Sequence, residues 1–206
     1  MDQSTISAIA KWPDVPYCYG WLFLDRRGSF RIRNEYSQKH HLPGELIKHA
    51  GMCDSIRKNI SIDTHNQYFF QNGPQRVYLS LSYCPYVVRF IPSQQYDWEL
   101  QNHLSQEIQP TRCFLDEKGN ILLEFIASII QCSNTSQLSF TETQIRSIAL
   151  LHDHDLNIFS ELSQMNIANC GVIGVFKWRS LDIPIEPIIG HDVAKEFHFK
   201  QTPIPA

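Results

Sequence analysis

The sequence predicts an α+β fold, in which antiparallel β-hairpins and meanders pack against two to four helices. Three observations favour it: alternating apolar and polar residues, glycine-containing turns between β-rich segments, and two segments with helical spacing. A doubly wound parallel sheet is not favoured, because the sequence has neither a regular alternation of strands and helices nor a glycine-rich phosphate loop.

The first predicted elements are a hairpin and a helix. Two β-rich arms within Tyr17–Arg33 flank Asp25-Arg26-Arg27-Gly28, where the glycine can adopt the left-handed conformation that closes a short loop. A helix is expected from about Glu45 to Asn59, after Pro43-Gly44. Its inner side would contain Leu46, Ile47, Ala50 and Ile56.

The aromatic-rich stretch from Tyr68 to Phe90 has the clearest strand pattern in the chain. Between residues 77 and 83, apolar side chains alternate with Tyr78, Ser80 and Ser82, which predicts one buried face and one wetter face. Asn72-Gly73-Pro74 interrupts the pattern, because Asn and Gly tolerate positive φ and Pro fixes its own φ and lacks a donor. A β-hairpin is therefore expected here.

The next segments predict a link and a second hairpin. Glu99–Gln109 is expected to be a short helix or an irregular link. Cys113–Phe125 is expected to be a hairpin whose turn, Asp116 to Gly119, has the same chemistry as Asp25 to Gly28. The chain is therefore predicted to form two similar halves, residues 1–92 and 113–206, joined near residues 91–112; a single domain of residues 12–200 is the alternative.

The last third of the chain predicts helices, a strand and an extended tail. Thr141 is expected to open a helix, because Ile145, Ile148, Ala149 and Leu151 recur at helical spacing. A second short helix is expected from Asp155, and a buried strand over Gly171–Trp178. The tail from Ile183 contains several prolines and is expected to be an extended arm without regular structure.

Composition indicates a globular cytoplasmic protein. The formal charge of −3 argues against a general polyanion binder, so nucleic acid is not an expected partner. The arginines of residues 26–33 are interleaved with aromatic residues, but strand alternation explains them better as a solvated hairpin face. No secretory signal or apolar membrane span is evident in the sequence, and the six scattered cysteines favour buried, reduced thiols.

A polar group on the predicted strands is the first candidate site. It consists of Gln71, Asn72, Gln75, Arg76 and Arg89. Arginines within apolar strands must find partners or reach water, so they could hold a carboxylate or phosphate bidentately. Pairing with Asp or Glu of the same chain is the alternative.

The segment His152-Asp153-His154-Asp155 is the second candidate site. On an extended segment the imidazoles of His152 and His154 would point the same way and could share a metal with Asp153 or Asp155. On a helix they would diverge by about 200°, and Asp155 would then serve as an N-cap. Cys84 is a weaker candidate as a nucleophile, because its apolar strand setting favours a core thiol.

Four segments resemble a proteobacterial family of conserved proteins of unknown function, over about Trp12 to Pro187. They are WPDVPYCYGWLFLDRRGSFRIR, FFQNGPQRVYLSLSYCPYVVR, LLHDHDL and LDIPIEPI. This resemblance implies no established activity, cofactor or catalytic residue. The first half is also similar to another uncharacterised bacterial family, suggested to contain repeated structural motifs and to act in signalling. The matching positions are Gly28, Gly73 and Pro85-Tyr86.

The sequence thus predicts a non-catalytic binding or regulatory module that needs no cofactor. Its expected partner is an unidentified protein or a small acidic ligand, and not a membrane. A metal-dependent hydrolase that uses the HDHD segment is the alternative. Exposed aromatic residues offer a further interpretation, a homodimer surface; they include Trp12, Tyr17, Tyr36 and Tyr96.

Overall fold

The computed structural model describes residues 7–9, 11–12, 14–133, 139–169 and 171–205. The protein is mostly β, with 48% strand and 17% helix, and its strands form one large mixed sheet. The predicted α+β fold of hairpins packed against helices is therefore wrong. The physical reason is that the helices Glu35–Lys39, Ala50–Lys58, Leu156–Glu161 and Val193–Glu196 each bury a single residue, so strands build the core.

The first segment runs through β1 (Cys18–Leu24), β2 (Phe30–Ile32), α1 (Glu35–Lys39), β3 (Glu45–Leu46), α2 (Ala50–Lys58) and β4 (Ile60–Asp63). The first predicted hairpin is confirmed, since β1 and β2 pair antiparallel. The predicted helix starts later than expected, because Glu45 and Leu46 pair with β2 instead. His49 caps α2 by accepting a hydrogen bond from the backbone N–H of Met52 at 3.1 Å.

The aromatic-rich stretch forms the predicted hairpin. It contains β5 (Tyr68–Asn72) and β6 (Gln75–Leu81), and β7 (Tyr86–Pro92) and β8 (Trp98–Asn102) follow. Both faces of β6 are buried, rather than one: Leu79 and Leu81 belong to the main core, whereas Tyr78 packs with Phe69 and Cys132 in a second cluster. The strand β8 forms where the sequence predicts a helix or a link, because it pairs along β7.

The predicted helix from Thr141 is wrong, because this segment is a strand. The chain forms β9 (Arg112–Asp116), β10 (Ile121–Ser133) and β11 (Ser139–Leu151), and the hairpin of β9 and β10 is as predicted. The β-branched Thr141, Thr143 and Ile145 favour strand geometry. Pairing with β10 through residues 139–150, and with β7 through residues 149–151, decides the outcome for β11.

The prediction that the tail lacks regular structure is also wrong. After a 3₁₀ turn (Asp153–Asp155) come α3 (Leu156–Glu161), β12 (Ser163–Asn169), β13 (Val172–Trp178), β14 (Leu181–Ile188) and α4 (Val193–Glu196). β14 pairs with β13 through residues 181–185 and with β9 through residues 185–188. Pro184 therefore has a neighbouring strand only on the β13 side, and Pro187 only on the β9 side. Proline is tolerated at such positions because its missing N–H group has no second strand to bond.

The sheet is mixed and joins strands that are distant from one another along the chain. Its order is β12-β13-β14-β9-β10-β4-β5-β6-β1-β2-β3, and β11 pairs with β10 and with β7, which in turn pairs with β8. Among the described strands, four pairings are parallel: β1 with β6, β10 with β4, β11 with β7, and β14 with β9. Strands of the two predicted halves thus share hydrogen bonds, while the division into residues 1–92 and 113–206 stays a prediction.

Within the part of the chain that the structure describes, four turns share one geometry. In the turns that begin at Asp25, Asp63, Asn102 and Asp116, the side-chain oxygen accepts hydrogen bonds from the backbone N–H groups two and four residues later, at 2.8–3.0 Å. The fourth residue of each turn has positive φ: Gly28, Asn66, Ser105 and Gly119. This is the pattern of a three-residue hairpin loop with a glycine-type bulge.

The buried thiols agree with the sequence interpretation. Cys84, Cys113 and Cys132 are buried and free, and Cys170 lies outside the described residues. Burial raises the pKa of Cys84, which favours a core thiol over a nucleophile. No helix in the described part of the chain is long and apolar enough to cross a membrane.

Candidate functional site

A cavity of about 290 Å³ lies where the β7–β8 hairpin meets the turn between β1 and β2. Three arginines from three different elements line it: Arg27 from the turn, Arg57 from α2 and Arg89 from β7. The remaining lining residues are Gly28, Ser29, Val87, Ile91, Gln101, Asn102, His103 and Ser105. The cavity is therefore rich in hydrogen-bond donors and in positive charge.

Alternate residues of β7 form one wall of the cavity. Val87, Arg89 and Ile91 are alternate residues of β7, so their side chains lie on the same face. Gln101 is paired with Arg89 across the hairpin, and the backbone N–H of His103 donates to the carbonyl of Val87 at 2.8 Å. The β7–β8 hairpin thus presents one continuous surface to the cavity.

The β1–β2 turn approaches this wall closely. A Cβ atom on Gly28 would lie 2.8 Å from the Cβ of His103 and 3.3 Å from that of Val87. Gly28 also has a φ of +75°, a conformation that L side chains rarely adopt. Only glycine therefore fits this position, and the turn carries Arg27 to the rim of the cavity.

Arg89 is held by an ion pair with Asp155. Its Nη2 and Nε donate to the two oxygens of the Asp155 carboxylate at 2.7 and 3.1 Å, and the backbone N–H of Phe90 donates to the same carboxylate at 2.9 Å. The side chain of Asp155 is 3% exposed and that of Arg89 is 46% exposed. These hydrogen bonds raise the pKa of Arg89. Three of its five N–H donors lie outside this pair.

The other two arginines have weaker partners. Arg57 donates from Nε to the carbonyl of His103 at 3.1 Å and from Nη1 to Asp54 at 2.9 Å, and Arg27 donates to Asp153 at 3.0 Å. Asp54 and Asp153 are both more than half exposed. Exposed ion pairs contribute about 0–1 kcal/mol, so an anion in the cavity can compete for these guanidinium groups.

His103 forms an uncharged part of the lining. Burial and the positive charge of Arg57 lower its pKa to about 3. Its Nδ1 accepts a hydrogen bond from the backbone N–H of Val87 at 3.3 Å, and its ring packs edge-on against Phe30. The imidazole is therefore neutral at physiological pH, and the arginines supply the charge of the cavity.

The HDHD segment lies beside the cavity, and the structure joins it to Arg89. Asp155 binds Arg89 and Asp153 binds Arg27, so two of its four residues hold cavity arginines in place. His152 precedes the 3₁₀ turn in an extended conformation, and its Nδ1 accepts a hydrogen bond from the backbone N–H of His154 at 3.1 Å. Burial, followed by the charge of Arg89, lowers the pKa of His152.

The rest of the first predicted site lies outside this cavity. Gln71, Asn72, Gln75 and Arg76 do not line it, and β6 does not pair with β7. Gln71 donates to the carbonyl of Gly73 at 2.9 Å, and Gln75 to that of Pro16 at 3.2 Å. Arg76 is buried with its guanidinium over the rings of Phe69 and Tyr17. The structure thus separates Arg76 from Arg89.

Sequence reasoning missed two of the cavity arginines. The sequence explains Arg27 as part of a solvated hairpin face, and Arg57 lies in the last turn of α2, where basic residues are ordinary. Arg31 and Arg33 of the same hairpin bind Asp25 and Ser80. No local pattern distinguishes Arg57 from a surface residue, because only the packing of α2 brings it to the cavity.

Comparison with known proteins identifies similarity without an activity. A family model described as "Protein of unknown function (DUF2946)" matches residues 1–204. No curated protein matches the chain. A crystal structure of a DUF1285 family protein from Silicibacter pomeroyi DSS-3 is similar, with 12% sequence identity and a TM-score of 0.45; the match covers 90% of this chain and 96% of that chain.

Proposed function

The chain belongs to this family of proteins of unknown function, so its role must be inferred from the site, and we propose that it is a non-catalytic module that binds a small anionic ligand. The cavity lined by Arg27, Arg57 and Arg89 is the proposed binding site. The observation that carries this proposal is the convergence of three arginines from separate elements on one cavity.

The geometry supports a ligand with a carboxylate or phosphate group. Guanidinium groups recognise such planar or tetrahedral anions through paired N–H donors. Gln101, Asn102 and Ser29 line the same cavity and carry further polar groups. A volume of about 290 Å³ matches the lower end of small-molecule sites.

The state of His103 supports binding rather than turnover. A general acid or base works best when its pKa lies near the operating pH. The pKa of His103 is lowered to about 3, far from that range. The cavity therefore offers fixed positive charge and hydrogen-bond donors to a ligand.

Titration calorimetry at low salt with inorganic phosphate, pyrophosphate and citrate tests this function. We expect Arg27→Gln and Arg57→Gln each to weaken binding by about tenfold or more, since a hydrogen bond to a charged group contributes about 1.5–3 kcal/mol. Arg179→Gln is the matched control, because Arg179 also pairs with a half-exposed acid, Glu107, but lies outside the cavity.

Two outcomes would contradict the proposal. The first is that each anion binds wild type and both cavity variants with equal affinity, or that none of the anions binds. The other is hydrolysis of a chromogenic phosphate ester by metal-supplemented protein that is lost in His154→Ala. That result would favour the alternative function, a metal-dependent hydrolase.

A further inference from the structure

Three donor groups converge in the HDHD segment. One ligand atom from each of His152, Asp153 and His154 lies within 4.8 Å of the others. The Oδ1 atom of Asp153 is 3.0 Å from Nδ1 of His152 and 4.0 Å from Nε2 of His154. In a tetrahedral zinc site with bonds of about 2.0–2.2 Å, neighbouring donor atoms are about 3.3 Å apart. The two distances from Asp153 lie on either side of that value.

The local backbone explains how residues two apart can share one ion. His152 has an extended conformation, with φ of −63° and ψ of 137°, whereas His154 lies within the 3₁₀ turn. The two imidazole rings are therefore 4.8 Å apart between centroids, instead of pointing to opposite sides as on a continuous helix. The backbone N–H of His152 donates to the carbonyl of Val88 at 3.0 Å, which fixes this residue to β7.

The carboxylate of Asp153 is oriented by an outer partner. Its Oδ2 accepts a hydrogen bond from Arg27 at 3.0 Å, and Oδ1 faces the imidazoles. Outer hydrogen bonds of this kind commonly orient carboxylates that bind metals. Asp155, the other acid that the sequence offers beside Asp153, has its two oxygens bound to Arg89 instead.

We propose that His152, Asp153 and His154 form a binding site for a divalent transition-metal ion such as Zn²⁺. Imidazole nitrogens favour zinc and its neighbours over Mg²⁺ or Ca²⁺, which prefer oxygen ligands. Three protein ligands leave at least one coordination position for water or an external ligand. The ion must displace the hydrogen bond from the N–H of His154 to Nδ1 of His152. The site does not depend on the proposed anion-binding function.

Calorimetric titration of the metal-free protein with Zn²⁺ tests the site. We expect one saturable Zn²⁺ site in wild type, and at least tenfold weaker binding in His154→Ala and in Asp153→Asn. The side chain of His154 is 63% exposed, so its removal should leave the fold intact. His191→Ala is the matched control, because His191 and Asp192 form an exposed His–Asp pair at 3.7 Å. The affinity of His191→Ala for Zn²⁺ should equal that of wild type.

Several results would overturn the metal site. They are the absence of saturable Zn²⁺ binding, equal weakening in His191→Ala and His154→Ala, and Mg²⁺ binding as tight as Zn²⁺ binding. Phosphate titration of the metal-free protein separates this proposal from the first. If Arg57→Gln loses phosphate binding but retains Zn²⁺ binding, then the metal site does not require the anion-binding site.

Discussion

At the scale of single residues, the pair of Arg89 and Asp155 has an asymmetric role. Asp155 is almost fully buried and depends on Arg89 and the N–H of Phe90, whereas Arg89 is half exposed and can reach water. Loss of Arg89 would leave a buried carboxylate without its main partner, which is strongly destabilising. Arg89 therefore combines a structural role with its position in the cavity, and Arg27 and Arg57 are better probes of binding.

His103 makes the stability of the protein depend on pH. Its pKa is about 3 in the folded state, whereas an unfolded histidine has a pKa of about 6.5. Below about pH 6.5 the unfolded chain binds a proton that the folded chain excludes, so stability is full above that pH and falls as the pH drops towards 3. We expect the urea midpoint of wild type to fall between pH 7 and pH 4.

The variant His103→Gln isolates this contribution. Its amide oxygen can still accept the hydrogen bond from the N–H of Val87, but it does not titrate. As the pH falls from 7 to 4, the urea midpoint of wild type should therefore decrease more than the urea midpoint of His103→Gln. A difference that stays constant from pH 7 to pH 4 would mean that the imidazole is not held neutral.

At the scale of elements, the repeated turn separates two effects of glycine. Gly28 and Gly119 occupy the same position in two such turns, with φ of +75° and +81°. A Cβ on Gly28 would meet His103 and Val87, whereas a Cβ on Gly119 has no heavy atom within 4 Å. An alanine at either position would have the same backbone strain, and only at position 28 would its Cβ also clash with neighbouring atoms.

We therefore expect Gly28→Ala to destabilise the protein more than Gly119→Ala. The left-handed conformation costs a non-glycine residue about 1–2 kcal/mol at either site, and overpacking adds about 1–3 kcal/mol at Gly28. Urea unfolding of both variants measures the difference. Equal losses of stability would show that the turn can move away from the β7–β8 hairpin without cost.

At the scale of the whole molecule, the sheet joins strands that are distant in sequence. β10 pairs with β9 and with β4, and β11 pairs with β7. A fragment of residues 1–92 would lose β10 as a partner of β4 and would lose both partners of β7, and it would expose buried residues such as Ile62 and Val88. The same argument applies to residues 113–206.

We therefore expect neither fragment to fold alone and the full chain to unfold in one cooperative transition. Circular dichroism of the two fragments and urea unfolding of the full chain, followed by tryptophan fluorescence and by circular dichroism, check this expectation. Two separated transitions, or a folded fragment of residues 1–92, would instead support the predicted division into two domains.

Only some residues of the candidate site could be predicted from the sequence. Arg89 and the HDHD segment stand out in the sequence, because charged groups in apolar strands and paired histidines are unusual. Their connection could not be predicted, since Arg89 and Asp155 are 66 residues apart and meet through the pairing of β7 with β11. Arg57 carries no local signal at all.

The sequence by itself determined the local features: the hairpins around Gly28, Gly73 and Gly119, the strand before Trp178 and the short helix after Asp155. These depend on φ preferences and periodicity within a few residues. Only the tertiary structure decided that Thr141–Leu151 is a strand, that a proline-containing tail joins the sheet, and that three arginines share a cavity. Each of these depends on partners that the chain brings together from a distance, where local propensity is overridden by strand pairing and burial.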